Sequence, residues 1–228
     1  MSIMKKASGF VAAVTVGMAA VSAEAVIFSE NFDAPSAASW SAINYAATAT
    51  PQAPGQPLDG WAVLGSTGTT SGTGGVQHIA NEFQPYIPLP MTGSILQLSV
   101  VDGAAGNQGG ITRSLTTTPG TSYTITLLAS QRGGWDYSAG EVIFGAETFS
   151  WNIPQPEVSG DPIGWKTLTF NTGPVAGAST TFSIRGLTVG GNGSYQVIDN
   201  ITVSAIPEPA TLGLALAGLA VLAGRRCA

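Results

Sequence analysis

The stretch ITRSLTTTPGTSYTITL, residues 111–127, decides the fold class of this protein. Near its end Tyr123, Ile125 and Leu127 alternate with threonines, which is the period of a strand with one buried face. The preceding Thr118-Pro119-Gly120-Thr121 combines residue types that favour a turn. Residues 111–117 read as another strand, so the stretch predicts two β-strands joined by a turn.

Short strands of the same kind recur along the chain, and no segment shows a convincing helical period. Gly, Pro, Asn or Ser bound the predicted strands, which cover residues 27–32, 95–101, 111–117, 123–127, 141–149, 165–170, 182–189 and 195–203. Residues 34–92 are less regular, and the Gly/Ser/Thr-rich residues 66–75 predict a flexible surface loop. About nine or ten strands without a helix predict an all-β fold, an antiparallel β-sandwich of jelly-roll type.

The composition excludes several classes of function. The chain has 228 residues, of which 9% are charged, and it contains one Cys and one His. These counts rule out a coiled coil, an intramolecular disulfide, a multi-Cys zinc site and a His-rich metal site. Residues 26–205 carry four basic and eleven acidic side chains, a net charge of −7. We therefore expect no nucleic-acid partner.

The N-terminus has the features of a secretory signal peptide over residues 1–25. Lys5 and Lys6 precede an uncharged apolar run over residues 9–21. Ala23-Glu24-Ala25 then supplies the small residues that signal peptidase reads, which predicts cleavage after Ala25. Cleavage after Ala23 and an uncleaved membrane anchor are the alternatives.

The C-terminal residues 206–228 form a three-part tail. Pro207, Glu208 and Pro209 precede a 15-residue uncharged run, residues 210–224, and then Arg225 and Arg226. As a helix the run would span about 22 Å, less than the roughly 30 Å hydrocarbon core of a bilayer. The arginine pair matches the positive-inside rule. A marginal membrane anchor or a buried C-terminal helix is the alternative to a sorting signal.

This tail resembles the PEP-CTERM sorting signal of Gram-negative bacteria. The resemblance implies that the short helix inserts transiently in the membrane and that a transpeptidase of the exosortase type removes it. It also implies delivery to the cell surface or the extracellular polysaccharide matrix. Since Cys227 lies beyond the arginines, the mature domain, residues 26–205, would contain no cysteine.

A second resemblance covers most of residues 27–204. The motifs Glu30-Asn31-Phe32-Asp33, Gly60-Trp61 and Ile198-Asp199-Asn200-Ile201 stand in an order similar to galactose-binding-like jelly rolls, including carbohydrate-binding modules. It implies a structural calcium ion where the first and last strands meet, with Glu30, Asp33 and Asp199 as ligands. In the alternatives, Asp199 caps a turn or bonds backbone amides, and Glu30 faces solvent. No other cofactor is expected.

The segment between residues 131 and 138 is the best candidate for a sugar-binding loop. Trp135 and Tyr137 offer aromatic faces that stack on sugar rings, and Arg132 and Asp136 can bond hydroxyl groups. The alternative is that Trp135 or Tyr137 packs over an edge of the sandwich. Core or rim positions are expected for the other tryptophans considered, namely Trp61, Trp151 and Trp165.

The remaining features favour a non-catalytic role. His78 is expected at the surface, and no Gly-x-Ser-x-Gly nucleophile motif occurs. Residues 102–110 are Gly-rich but lack the Lys of a phosphate-binding loop, so they predict a hairpin connection. The leading hypothesis is an exported protein that binds or organises exopolysaccharide or mediates adhesion. A surface structural protein without a specific ligand and a polysaccharide hydrolase with two carboxylates are the alternatives.

Overall fold

A computed structural model describes residues 24–33, 42–45, 50–54, 58–65, 76–80, 94–99, 109–131, 138–154, 164–187 and 195–207. This part of the chain is all-β. Its twelve strands, two or three more than predicted, are β1 Ala25–Glu30, β2 Ala42–Tyr45, β3 Ala62–Leu64, β4 Val76–Ala80, β5 Ser94–Ser99, β6 Gly110–Thr116, β7 Tyr123–Gln131, β8 Ser138–Phe144, β9 Glu147–Ile153, β10 Lys166–Asn171, β11 Ser179–Gly186 and β12 Tyr195–Ala205. The residues from Glu24 to Ile206 form one compact unit.

The strands form two antiparallel sheets, which confirms the predicted sandwich. The larger sheet has seven strands in the order β10-β7-β12-β5-β4-β2, with β1 also paired to β12. The smaller sheet has five strands in the order β3-β6-β11-β8-β9. The last strand of the domain, β12, pairs with β7 along most of its length, with β5 through its first half and with β1 through its second half.

Apolar side chains of both sheets fill the space between them. The alternation in β7 is confirmed, because Tyr123, Ile125 and Leu127 are each at most 1% exposed. Phe182 lies at the centre of an aromatic cluster, with ring centroids 6.2 Å from Phe28, 5.7 Å from Trp61 and 6.0 Å from Phe144. Trp61 and Trp151 are buried and Trp165 packs on a smaller cluster beside β5, as expected for core or rim residues.

The hairpin β8–β9 corrects one sequence prediction. Residues 141–149 read as a single strand, but Phe144 pairs with Glu147 across a turn at Gly145 and Ala146. Gly145 has φ 62°, a left-handed conformation that glycine adopts at little cost. The Gly145 NH donates to Thr181 O over 2.9 Å. The turn therefore divides the predicted strand into β8 and β9.

Two other expectations are modified by the fold. Residues 102–108 of the predicted hairpin lie outside the described residues, but β5 before them and β6 after them belong to different sheets, so the connection does not form a hairpin. The less regular region, residues 34–92, contributes the three strands β2, β3 and β4. By contrast, the turn predicted at Thr118–Thr121 is confirmed by a 3.1 Å bond from the Thr121 NH to Thr118 O.

The two terminal signals fall mainly beyond the described chain. The predicted signal peptide up to residue 23, and Glu208, Pro209, Arg225 and Arg226 of the predicted sorting tail, lie outside the described residues. Within the residues that are described, no helix is long and apolar enough to cross a membrane.

Candidate functional site

The first and last strands meet, as the predicted calcium site requires. Glu30, at the end of β1, is the register partner of Ile201 in β12. Its carboxylate Oε1 accepts a 2.9 Å hydrogen bond from the Phe32 NH, and Oε2 accepts one of 3.3 Å from the Trp61 indole Nε1. Glu30 is half-buried, so it does not simply face solvent.

The other two predicted ligands also have hydrogen-bond donors within the domain. Asp33 Oδ1 accepts a 2.7 Å bond from the Ser94 NH, and Oδ2 accepts one of 2.8 Å from the Asn31 side-chain amide. Asp199 Oδ1 accepts a 2.7 Å bond from the Asn200 NH. Asn200 has φ 48°, where the pairing of β12 with β7 is interrupted by a bulge. The backbone bond at Asp199 matches one of the alternatives to metal ligation.

His78 lies beside this cluster and corrects another sequence prediction. It is 1% exposed rather than a surface residue. Its Nε2 lies 2.7 Å from Phe32 O. Phe32, two residues after the end of β1, has a left-handed backbone conformation with φ 55°. Burial lowers the pKa of His78, while the bond to Phe32 and the charges of Glu30 and Asp33 act in the opposite direction.

The environment of Asp199 opposes the charge of its carboxylate. Burial raises its pKa from 3.8 to about 7, the Asn200 NH opposes that rise, and the charges of Asp33 and Glu30 add to it. Between these two pKa values the folded chain binds a proton that the unfolded chain has lost. The stabilisation associated with that proton is therefore present below the unfolded pKa and is lost as pH rises through the folded pKa.

We expect Asp199→Asn to stabilise the domain increasingly as pH rises. The amide cannot ionise, so the variant avoids the cost of a buried carboxylate. The measurement is the melting temperature of variant and unmodified protein in chelator, at about pH 4 and about pH 8. The difference should be larger at the higher pH. Comparing the two proteins cancels the contribution of His78, and a difference independent of pH would contradict the assignment.

Calcium at this cluster stays a prediction. Within the part of the chain that the structure describes, no group of three His, Cys, Asp or Glu side chains is arranged to hold a metal ion. Glu30 nevertheless borders a cavity of about 340 Å³, which is lined otherwise by Ser29, Asn31, Asn200, Ile201 and Thr202. A cation in this cavity would be attracted by the Glu30 carboxylate, and Ca²⁺ accepts ligands of this oxygen-rich kind.

Calcium binding would raise the melting temperature, because a ligand that binds only the folded state stabilises it. We expect a higher melting temperature in millimolar Ca²⁺ than in excess chelator, and no such shift in Asp199→Ala. Equal melting temperatures, together with no metal in elemental analysis of the untreated protein, would contradict the calcium prediction.

The candidate sugar-binding loop falls in a gap of the structure. Arg132, Trp135, Asp136 and Tyr137 lie outside the described residues. The loop joins Gln131, the last residue of β7, to Ser138, the first of β8, and so connects the larger sheet to the smaller one. Its proposed role in binding therefore stays a prediction.

The outward surface of the smaller sheet carries a group of short hydroxyl side chains, here called the hydroxyl face. Its members alternate with core residues along β6, β9 and β11. They are Thr112, Ser114, Thr116, Thr148, Ser150, Ser179, Thr181 and Ser183. Ser183 is the register partner of Thr112, and Thr181 that of Ser114. The hydroxyls bond to each other across the strands, at 2.7 Å for Thr112–Ser183 and 2.6 Å for Ser114–Ser179.

One ion pair lies at the end of the hydroxyl face. Arg185 Nε donates to Glu141 Oε1, and the two residues are register partners in β11 and β8. The Arg185 side chain is 42% exposed, whereas that of Glu141 is 10% exposed. Glu141 is thus fixed by its partner, while part of the guanidinium stays accessible. The pair adds no net charge, so the face as a whole is neutral.

Sequence reasoning missed the hydroxyl face because it depends on register. In the sequence Thr112 and Ser114 are flanked by Ile111 and Leu115, and Thr181 and Ser183 are separated by Phe182. That β6 and β11, more than sixty residues apart in the chain, lie side by side is not visible. The same holds for the pairing of Glu141 with Arg185.

Comparisons with known proteins agree with this architecture. No protein-family profile matches the sequence, and no curated protein matches it. An arabinose-bound α-L-arabinofuranosidase, MgGH51, is similar with a TM-score of 0.52 at 15% identity, over 79% of this chain and 27% of the other. The chain therefore spans about a quarter of that enzyme's length, and the similarity shows a shared fold.

Two further solved structures are similar at lower scores. The K1 cleaved adhesin domain of Lys-gingipain from Porphyromonas gingivalis has a TM-score of 0.49 at 11% identity, over 79% of this chain and 98% of the other. The CBM22-1 xylan-binding domain of Paenibacillus barcinonensis Xyn10C has a TM-score of 0.46 at 12% identity, over 83% and 100%. The fold of the present chain is thus an all-β antiparallel jelly-roll sandwich.

Proposed function

We propose that this protein is an exported, non-catalytic domain that binds neutral polysaccharide at the cell surface or in the extracellular matrix of a Gram-negative bacterium. The observation that carries the proposal is the hydroxyl face of the smaller sheet. Six of its eight side chains, Ser114, Thr116, Thr148, Ser150, Ser179 and Thr181, are exposed to solvent.

The chemistry of the hydroxyl face suits a sugar chain. Each Ser or Thr hydroxyl both donates and accepts hydrogen bonds, as sugar hydroxyls do. Each such bond contributes little in water, roughly 1 kcal/mol, so useful affinity requires several of them along one ligand. A polysaccharide that lies along the strands meets several hydroxyls in succession. The net charge of −7 over residues 26–205 disfavours an anionic polymer.

The ion pair and the adjoining loop would help to orient the sugar chain on the hydroxyl face. A guanidinium held by a carboxylate keeps free N–H donors in a fixed plane, and Arg185 is accessible enough to use them on sugar hydroxyls. The loop over residues 132–137 ends four residues before Glu141 in the sequence. Stacking of Trp135 and Tyr137 on sugar rings is therefore proposed as a second contribution to the same binding surface.

The terminal signals supply the route in this proposal. Signal peptidase removes residues 1–25, and the tail from Pro207 to Arg226 is recognised by an exosortase-type transpeptidase. Both steps rest on the sequence features of the two ends. They would place a cysteine-free, acidic domain outside the cell, where extracellular polysaccharide is available to it.

A bulky cation placed in the hydroxyl face tests the proposal. We expect Thr181→Arg to weaken binding to neutral oligosaccharides at least about 10-fold, because the long side chain covers the neighbouring hydroxyls. Thr118→Arg is the matched control, since Thr118 is an exposed threonine in a turn outside the face. Affinities from calorimetry on a neutral glycan panel, with melting temperatures to confirm folding, give the readout. Equal affinities for the two variants would place the site elsewhere.

A further inference from the structure

A cavity lies at one end of the sandwich, between the β8–β9 turn and the loop that joins β10 to β11. Its volume is about 440 Å³, which is within the range of small-molecule binding pockets. Gly145 and Ala146 of the turn line it, as do residues 173–177 of the loop. The buried residues Phe144 and Thr180 complete this part of its lining. Two connections between strands therefore shape the cavity.

The β10–β11 loop is held in place by hydrogen bonds within the domain. The Val175 NH donates to Thr121 O over 3.0 Å, and the Gly120 NH donates to Val175 O over 2.8 Å. The Thr117 hydroxyl donates to Gly177 O, also over 2.8 Å. The loop crosses from the larger sheet to the smaller one, so it stands across the end of the sandwich. A cavity with fixed walls avoids the cost of ordering them when a ligand binds.

One carboxylate at the cavity has a fixed orientation. Both oxygens of Glu147 accept a hydrogen bond from the Gly173 NH, at 3.1 Å for Oε1 and 3.0 Å for Oε2. A carboxylate has about four lone-pair sites, so one shared NH leaves most of them available. Glu147 is exposed, and no Lys or Arg of the described residues forms an ion pair with it. It can therefore accept hydrogen bonds from a ligand in the cavity.

The cavity is continuous with the hydroxyl face. Ser179 and Thr181 belong to that face and also line the cavity. Thr148, another member of the face, follows Glu147 in β9. From Ser179 to Arg185 strand β11 extends about 20 Å. A chain that lies along β11 would thus run from the cavity, over the hydroxyl face, to the ion pair at the opposite end.

From this arrangement we infer that the cavity receives the terminal sugar residue of a neutral polysaccharide, while the residues next to it lie on the hydroxyl face. This inference rests on the proposed function and deepens it, because it assigns chain ends as the ligand. A sugar chain that enters the cavity from the face meets the β10–β11 loop and stops there. The interior of a long chain would not fit the cavity in this way.

The chemistry of the lining suits one neutral sugar residue. Pro174, Val175 and Ala176 provide apolar contact for the carbon-bound face of a sugar ring. The Glu147 carboxylate accepts hydrogen bonds from sugar hydroxyls, and such charge-assisted bonds are stronger than those between neutral groups. The same charge repels acidic sugars. A terminal residue offers one more free hydroxyl than a residue inside the chain, which gives the carboxylate a donor to select.

The number of binding sites per gram of polysaccharide tests the inference. The processed protein is titrated by calorimetry with a neutral β-glucan and with amylose, each as long chains and as short fragments. Ala176→Phe fills the cavity, and Ala178→Phe is the matched control, because Ala178 is exposed in the same loop but does not line the cavity. Glu147→Gln is the second cavity variant. Its amide oxygen can still accept from the Gly173 NH, so it keeps the test valid if Ala176→Phe fails to fold.

We expect the number of sites per gram to rise in proportion to the number of chain ends. Each folded cavity variant should bind the fragments about 10-fold more weakly, and Ala178→Phe should bind them normally. Equal numbers of sites per gram for long and short chains, or unchanged affinity in the folded cavity variants, would overturn the inference. Weaker binding by Ser114→Arg, in the face but outside the cavity, would then still support the hydroxyl face. Failure of the unmodified protein to bind any neutral glycan would overturn both proposals.

Discussion

Phe182→Ala should lower the free energy of unfolding by about 4 kcal/mol, because it removes a fully buried ring from the core of this domain. Phe182 is 0% exposed and its ring lies within 6.2 Å of the rings of Phe28, Trp61 and Phe144. Truncation of Phe182, which lies in β11, removes its ring contacts with Phe28 in β1, with Phe144 in β8 and with Trp61 just before β3. It also leaves a cavity that rigid neighbours cannot fill.

Urea denaturation of residues 24–206, followed by tryptophan fluorescence, measures this loss. Phe149→Ala is the matched control, because Phe149 is only partly buried and stacks on one ring, Phe170, at 5.5 Å. We expect its cost to be less than half that of Phe182→Ala. Similar costs for the two variants would show that the aromatic cluster is not the centre of the core.

Replacing Pro207, Glu208 and Pro209 by alanines should abolish processing of the C-terminal tail and leave the precursor in the membrane. The motif follows the folded domain directly. The last strand ends at Ala205, and the Ile206 NH donates to Ser122 O over 2.8 Å. The triple change therefore alters the recognition motif without removing a core side chain.

Cell fractionation with mass analysis of the exported protein measures the effect of this change. Pro174→Ala, at an exposed proline in the domain, is the control and should be processed normally. If mature protein of unchanged mass still reached the surface in the triple variant, the sorting interpretation of the tail would be wrong. That result would leave the polysaccharide-binding proposal unaffected.

The fold class was predictable because the alternation of residues encodes it locally. Tyr123, Ile125 and Leu127 alternate with threonines, and they are buried as the pattern requires. The division of residues 141–149 into two strands was not predictable from periodicity, since a glycine between two apolar segments fits a continuous strand as well as a tight turn. Gly140 shows a further limit of prediction from sequence. A side chain at this position would collide with the Trp151 ring and with Arg185 O, and only the folded structure brings these groups close to it.

Some features of the candidate sites were likewise predictable from the sequence, and others were not. The expected pairing of the first and last strands is present, and it places Glu30 opposite Ile201. The burial of His78 was missed, because nothing local distinguishes a buried histidine from an exposed one. The hydroxyl face was missed as a surface, because it is assembled from strands distant in the sequence.

Chemical-shift mapping by NMR tests the central claim most directly. Residues 24–206, labelled with ¹⁵N, are titrated with a neutral oligosaccharide that binds in the glycan panel. If the hydroxyl face binds polysaccharide, the amides of Thr112, Ser114, Thr181 and Ser183 should shift in a saturable manner, and those of the turn at Thr118–Thr121 should not. Shifts that leave β6 and β11 unchanged and appear elsewhere on the domain would contradict the account.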